Sequence, residues 1–238
     1  MLRGRCRACK LPISIRYPIV ELLTALLFVA VGMRHGWSLA TVGGLCMVGG
    51  LVAITFIDMA IWEIPDEISL PGVLIGVVLR PLAYDVPWYD GLVGAALGAS
   101  FLWFIRWLFF VLRNVEGMGL GDVKLIAMIG AFLGPFALAP MIMVASVSGT
   151  LIGGIVLLLA PSEEEDAEDA EADGEPPSEP PDSKADAGND EDEDEDDWVP
   201  PPTAVPFGPF LSLGAIATLL FEHEILGVIT AATTWLWT

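Results

Sequence analysis

Apolar runs long enough to cross a lipid bilayer recur along this chain of 238 residues, and that recurrence leaves few folds open. A membrane-crossing helix needs about 20 consecutive apolar residues. Runs near that length fall at 18–34, 37–57, 67–84, 90–112, 121–134, 136–160 and 207–235. The expected fold is therefore all-α, a polytopic membrane bundle of about seven transmembrane helices. The fifth run is short and ends at Gly134-Pro135, so it is expected to sit between other helices and not to face lipid along its length. With 54% hydrophobic side chains and a mean hydropathy of +0.64, an ordinary soluble domain is excluded.

A net charge of −20 suggests a strongly acidic protein, but residues 163–197 hold twenty acids and one lysine and so carry −19 of it. The membrane body is close to neutral. The acidic stretch is also rich in Pro, Ser, Gly and Ala and cannot bury enough surface to fold, so a disordered loop is expected over 161–206. The chain then divides into a basic segment at 1–17, a core of six spans at 18–160, the acidic loop, and a last span within 207–238. Arg3, Arg5, Arg7, Lys10 and Arg16 place the N-terminus in the cytoplasm by the positive-inside rule, with Arg34 and Arg80 as exceptions further along. No cleavable signal peptide is evident, and the first span serves as the anchor. Threading the spans from that start puts the loops at 58–66 and 113–120 and the acidic loop on the cytoplasmic side, in the inner membrane of a cell.

Two acids lie at that same cytoplasmic depth. Asp122 closes the glycine cluster Gly117-Met118-Gly119-Leu120-Gly121-Asp122-Val123-Lys124 at the start of the fifth span, and Asp58 ends the second span. An acid at the edge of a membrane span is costly and so is a functional candidate by default. Glycines beside it let a backbone approach closely, as a site holding an extended peptide requires. The bland alternative is that Asp122 caps a helix and Asp58 belongs to a loop. Two neighbouring carboxylates suit amide hydrolysis, since proximity keeps one ionised to activate water and one protonated to polarise the carbonyl. The helix dipole assigns the base role to Asp122, at a helix start, and the acid role to Asp58, at a helix end. No serine or cysteine nucleophile competes, because His35 faces outside and His223 lies in the last span away from a suitable serine. Cys6 and Cys9 form a Cys-x-x-Cys that reads as half a zinc site, a redox pair or two unpaired thiols; a structural zinc would need two further ligands.

Four stretches in order carry a family resemblance. They are Cys6-Arg7-Ala8-Cys9 followed by Ile13 to Thr24; Ile57-Asp58 with Ile64-Pro65-Asp66; Gly119-Leu120-Gly121-Asp122-Val123-Lys124-Leu125; and Pro206-Phe207-Gly208-Pro209-Phe210. The chain resembles the bacterial prepilin leader peptidases, membrane aspartic proteases with a GXGD motif, apart from lacking the usual first span and first Cys-x-x-Cys. The resemblance implies cleavage after a glycine that separates a short basic leader from the hydrophobic helix of a type IV prepilin or a type II secretion pseudopilin. It also implies Asp58 and Asp122 as the catalytic pair, with Gly119, Gly121 and Lys124 supporting the motif. Peptidase activity needs no cofactor on this reading; S-adenosylmethionine would serve N-methylation of the new terminus, and zinc is not expected in this chain. Glu63, Asp66 and Glu67 are candidates for contact with a basic leader, and Asp66 is equally a candidate N-cap of the third span. The expected partners are prepilin-like substrates and the bilayer, not nucleic acid.

Two competing readings differ in class. A proton- or ion-coupled transporter would also carry intramembrane acids, but it leaves the glycines beside Asp122 and the absence of an evident inverted repeat unexplained. An inactive assembly homologue would retain both acids and is separated only by assay.

Overall fold

The computed structural model describes residues 14–113, 119–159 and 206–221, side chains at 113 and 157–159 excepted. The Cys6–Cys9 pair, the acidic loop and His223 lie outside the described residues. Seven helices occur among those described: α1 (Arg16–His35), α2 (Leu39–Ile61), α3 (Asp66–Tyr84), α4 (Asp90–Arg113), α5 (Leu120–Leu133), α6 (Pro135–Leu159) and α7 (Gly208–Phe221). Five of them, α1 to α4 and α6, are long and apolar enough to cross a membrane. The helical core and the site belong to one compact unit, which takes in the described residues within 14–151 and 206–221.

Local chemistry sets the helix ends. Gly36 ends α1 with φ 62°, its N–H bonded to the Gly32 carbonyl at 2.9 Å, and the Ser38 hydroxyl caps α2 by accepting from the Thr41 amide at 3.3 Å. Between α5 and α6 the turn is Gly134, at φ 79°, followed by Pro135 as the first residue of α6. Glycine tolerates the left-handed backbone there, and proline suits a first helical turn whose N–H would have no partner anyway.

The short α5 is the centre of the core. Leu125, Ile126, Met128, Ile129 and Ala131 are all buried, as the length of the fifth run led us to expect of a helix packed among others. Lipid tails are as apolar as leucine, so helices in a membrane associate through close van der Waals packing and not through water exclusion. Glycines provide it here. A Cβ on Gly94 of α4 would strike the Gly130 carbonyl of α5, and a Cβ on Gly130 would strike that of Gly94. On the other side of α5, a Cβ on Gly76 of α3 would come within 2.8 Å of Ala131 Cβ. Backbone thus meets backbone on one flank of α5, and a helix too short to span alone is fixed in depth between α3 and α4.

Candidate active site

Asp58 lies one turn inside the end of α2, which runs on to Ile61. The sequence reading ended the span at 57, and the helix overruns it because Trp62 takes the cap: its N–H bonds to the Asp58 carbonyl at 3.0 Å with φ 58°. A left-handed cap at a bulky residue is uncommon. It turns the chain at once, so that Ile64 is buried and Pro65 begins the approach to α3. Asp58 is therefore a helical and not a loop residue, and only 5% of it is exposed.

Asp122 occupies the first turn of α5, three residues after Gly119, which is the N-cap and makes no side-chain bond. It is half-buried, and its carboxylate interacts electrostatically with that of Asp58. The two acids, on separate helices, are near enough for their charges to interact. Glycine matters at one motif position in particular. A Cβ on Gly121 would fall 2.9 Å from Ile64 Cβ, so the first turn of α5 sits directly on the α2–α3 connection. Lys124, the last polar residue of the motif, reaches α3: its Nζ donates to both Asp66 oxygens at 2.6 and 2.7 Å.

That ion pair corrects one expectation. Asp66 is not the N-cap of α3; Pro65 holds that place in extended conformation (ψ 131°), and Asp66 is the first helical residue with its carboxylate turned to Lys124. Glu63 and Glu67 are exposed near the same loop. Among the described residues, no group of three or more His, Cys, Asp or Glu side chains could hold a metal ion.

Sequence reasoning assigned no role to two further residues. Ile64 packs beneath Gly121, and Gly208, in the first turn of α7, lies against the Asp58 carboxylate. Both stood inside the quoted motifs, but only the fold shows what they touch.

Five helices long and apolar enough to span a bilayer, with a short helix packed on glycines among them, define a multi-pass helical membrane protein, with two interacting carboxylates at helix ends as its candidate site. The family comparison specifies it further. Residues 45–154 match the type IV leader peptidase family, and residues 1–35 match the bacterial peptidase A24 N-terminal domain. A protein of Myxococcus xanthus (strain DK1622) is 38% identical over 258 residues, covering 97% of this chain and 76% of its own. Relatives from Neisseria gonorrhoeae and Aeromonas hydrophila are 42% and 45% identical over 160 and 158 residues. All three are named prepilin leader peptidase/N-methyltransferase. This chain belongs to the type IV leader peptidase family. The matches cover 56% and 54% of the Neisseria and Aeromonas proteins, so the chain spans about half the length of those relatives. No solved structure matches it.

Proposed function

We propose that the protein is a membrane aspartic endopeptidase that removes the short basic leader of type IV prepilins and pseudopilins by cutting after a glycine. The observation that supports this reading is that the carboxylates of Asp58 and Asp122 interact, one of them buried with its Oδ2 unpaired, near the ends of two core helices. A water held between two such carboxylates can attack a peptide carbonyl, with one acid taking its proton and the other donating to the carbonyl oxygen. On the dipole argument Asp122 is the base and Asp58 the acid. Asp66, tied to Lys124, keeps the α3 end of the site in register with α5, while the exposed Glu63 and Glu67 are suited to a basic leader. The reading places the site on the cytoplasmic side of the inner membrane. Methylation of the new terminus with S-adenosylmethionine extends it from the relatives' names; peptide hydrolysis is what the two carboxylates supply.

The test is cleavage of a synthetic prepilin-like peptide by the purified, reconstituted chain, with products identified by mass spectrometry. A new N-terminus immediately after the leader glycine, absent with Asp122→Asn, supports the proposal. Intact peptide at wild-type protein levels, or equal cleavage by Asp122→Asn, overturns it. Orientation is read separately by impermeant thiol labelling of Ala187→Cys in intact cells, where reaction from the outer face would reverse the topology.

A further inference from the structure

The catalytic reading uses α2 and α5, yet a third helix reaches the dyad. α7 begins at Gly208, on the far side of the acidic loop in sequence, and a Cβ built on Gly208 would collide with Asp58 Oδ2. The same Cβ would lie 3.5 Å from Ile64 Cδ1, so this glycine faces both the acid and the side chain beneath Gly121.

The hydrogen-bond accounting of that turn is selective. A helix start leaves its first amides without intrahelical partners. In α7, Pro209 has no N–H, and the amides of Phe210 and Leu211 both bond to the Phe207 carbonyl, at 3.1 and 3.2 Å. Among the described residues this leaves the Gly208 amide as the donor of the first turn with no backbone partner. Asp58, 5% exposed, supplies the complementary group: the Gly208 amide lies within backbone hydrogen-bonding reach of its carboxylate, while its buried Oδ2 keeps no hydrogen-bond partner. A buried carboxylate oxygen without a partner is costly and calls for a functional explanation.

We propose that Gly208 is a positioning residue of the active site, whose missing side chain and amide, turned to the carboxylate, fix the rotamer of Asp58 and make the first turn of α7 the third wall of the catalytic centre. Glycine admits the carboxylate, and the proline after it removes a competing donor. The inference rests on Asp58 being catalytic, as proposed above. It also gives the chain on either side of the acidic loop a shared task, since α7 must return to the dyad whatever the length of the loop between.

The test pairs Gly208→Ala with Gly214→Ala, whose Cβ would press on the Met141 carbonyl at 2.5 Å and on Ala145, far from the dyad along the same helix. Both variants are expected to lose thermal stability. Only Gly208→Ala is expected to lose kcat, by about a hundredfold as misplacement of a reacting group does, with KM within severalfold and a displaced limb in its pH–rate profile. A Gly208→Ala enzyme with wild-type kcat per folded molecule, or with a pH profile superimposable on that of Gly214→Ala, overturns the proposal. Should Gly208→Ala fold poorly, a stability cycle decides. In an Asp58→Ala background the collision is gone, so most of the stability loss from Gly208→Ala should vanish; an equal loss in both backgrounds overturns the contact. Asp58→Asn separates this inference from the reading beneath it. If Asp58→Asn is inactive and Gly208→Ala is unimpaired, only the role of Gly208 falls; if Asp58→Asn is active, the catalytic dyad falls first.

Discussion

Arg80 and Asp58 are both ionisable groups held inside the helical core, and they are built in opposite ways. Arg80 is saturated. Its Nε donates to Asp90, its Nη1 to the Phe132 carbonyl at 3.0 Å, and its guanidinium lies 5.4 Å from the Tyr84 ring centroid. With side-chain exposures of 14% and 15%, Arg80 and Asp90 join α3, α4 and the end of α5. Asp58 keeps an oxygen with no partner and has a second acid facing it. The difference teaches how to sort charges in a membrane bundle. A paired, hydrogen-bonded ion has completed its chemistry within the fold, whereas a buried carboxylate oxygen left without a partner at a helix end calls for a functional explanation, which the proposed reaction supplies. It also offers a reason why Arg80 was an exception in the orientation expected from sequence: its charge is answered by Asp90 within the fold.

The comparison breaks most visibly under charge removal. Asp58→Asn should reduce cleavage of a prepilin-like peptide by about 10²–10⁴-fold, the range of a lost general acid, without lowering thermal stability. In the wild type, log kcat/KM against pH should be bell-shaped: at low pH both acids are protonated and the base is lost, and at high pH both are ionised and the acid is lost. A stability loss with unchanged activity would mean that Asp58 is structural after all.

Arg80→Ala should do the converse. Stripping one partner from a buried pair leaves Asp90 and the Phe132 carbonyl stranded, a cost of about 3 kcal/mol in unfolding free energy, measured in detergent or bilayers. Activity per folded molecule should remain near wild type. An Arg80→Ala enzyme that is stable and inactive would erase the distinction between the two clusters.

Lys124 sits between these extremes. Its pair with Asp66 is 36% and 48% exposed, so solvent screens it and its net worth is at most about 1 kcal/mol. Lys124→Met should therefore cost little stability but loosen the register of α5 against α3, with a severalfold fall in kcat/KM. Asp66→Asn should add little to that fall, since the two share one interaction. Full additivity in the double variant would show that the pair does not act as a unit.

The smallest effect is expected from deleting residues 165–196. On the composition argument for this stretch, its length can change at slight entropic cost, so cleavage should stay within a fewfold. Collapse of activity at normal membrane levels of protein would show that the acidic loop recruits substrate.

Periodic hydrophobicity by itself determined the helical class, the number of apolar segments and the buried character of α5, because a bilayer demands helices of known length and a short one must borrow its neighbours. That Asp58 and Asp122 could come near each other was likewise suggested by span counting, and their charges do interact across the fold. Packing decided the rest. That α2 runs through Asp58 depends on a left-handed cap at Trp62, an uncommon choice for that residue. That Asp66 turns to Lys124, 58 positions away, and leaves the cap of α3 to Pro65 is a competition between local and distant partners. Gly208 is 150 positions beyond Asp58 in sequence, and only the return of α7 into the core brings its amide to that carboxylate. Local pattern fixes where a side chain sits on its helix, but which helix faces it is set by interhelical contact, and in a membrane that contact is written in the absence of side chains.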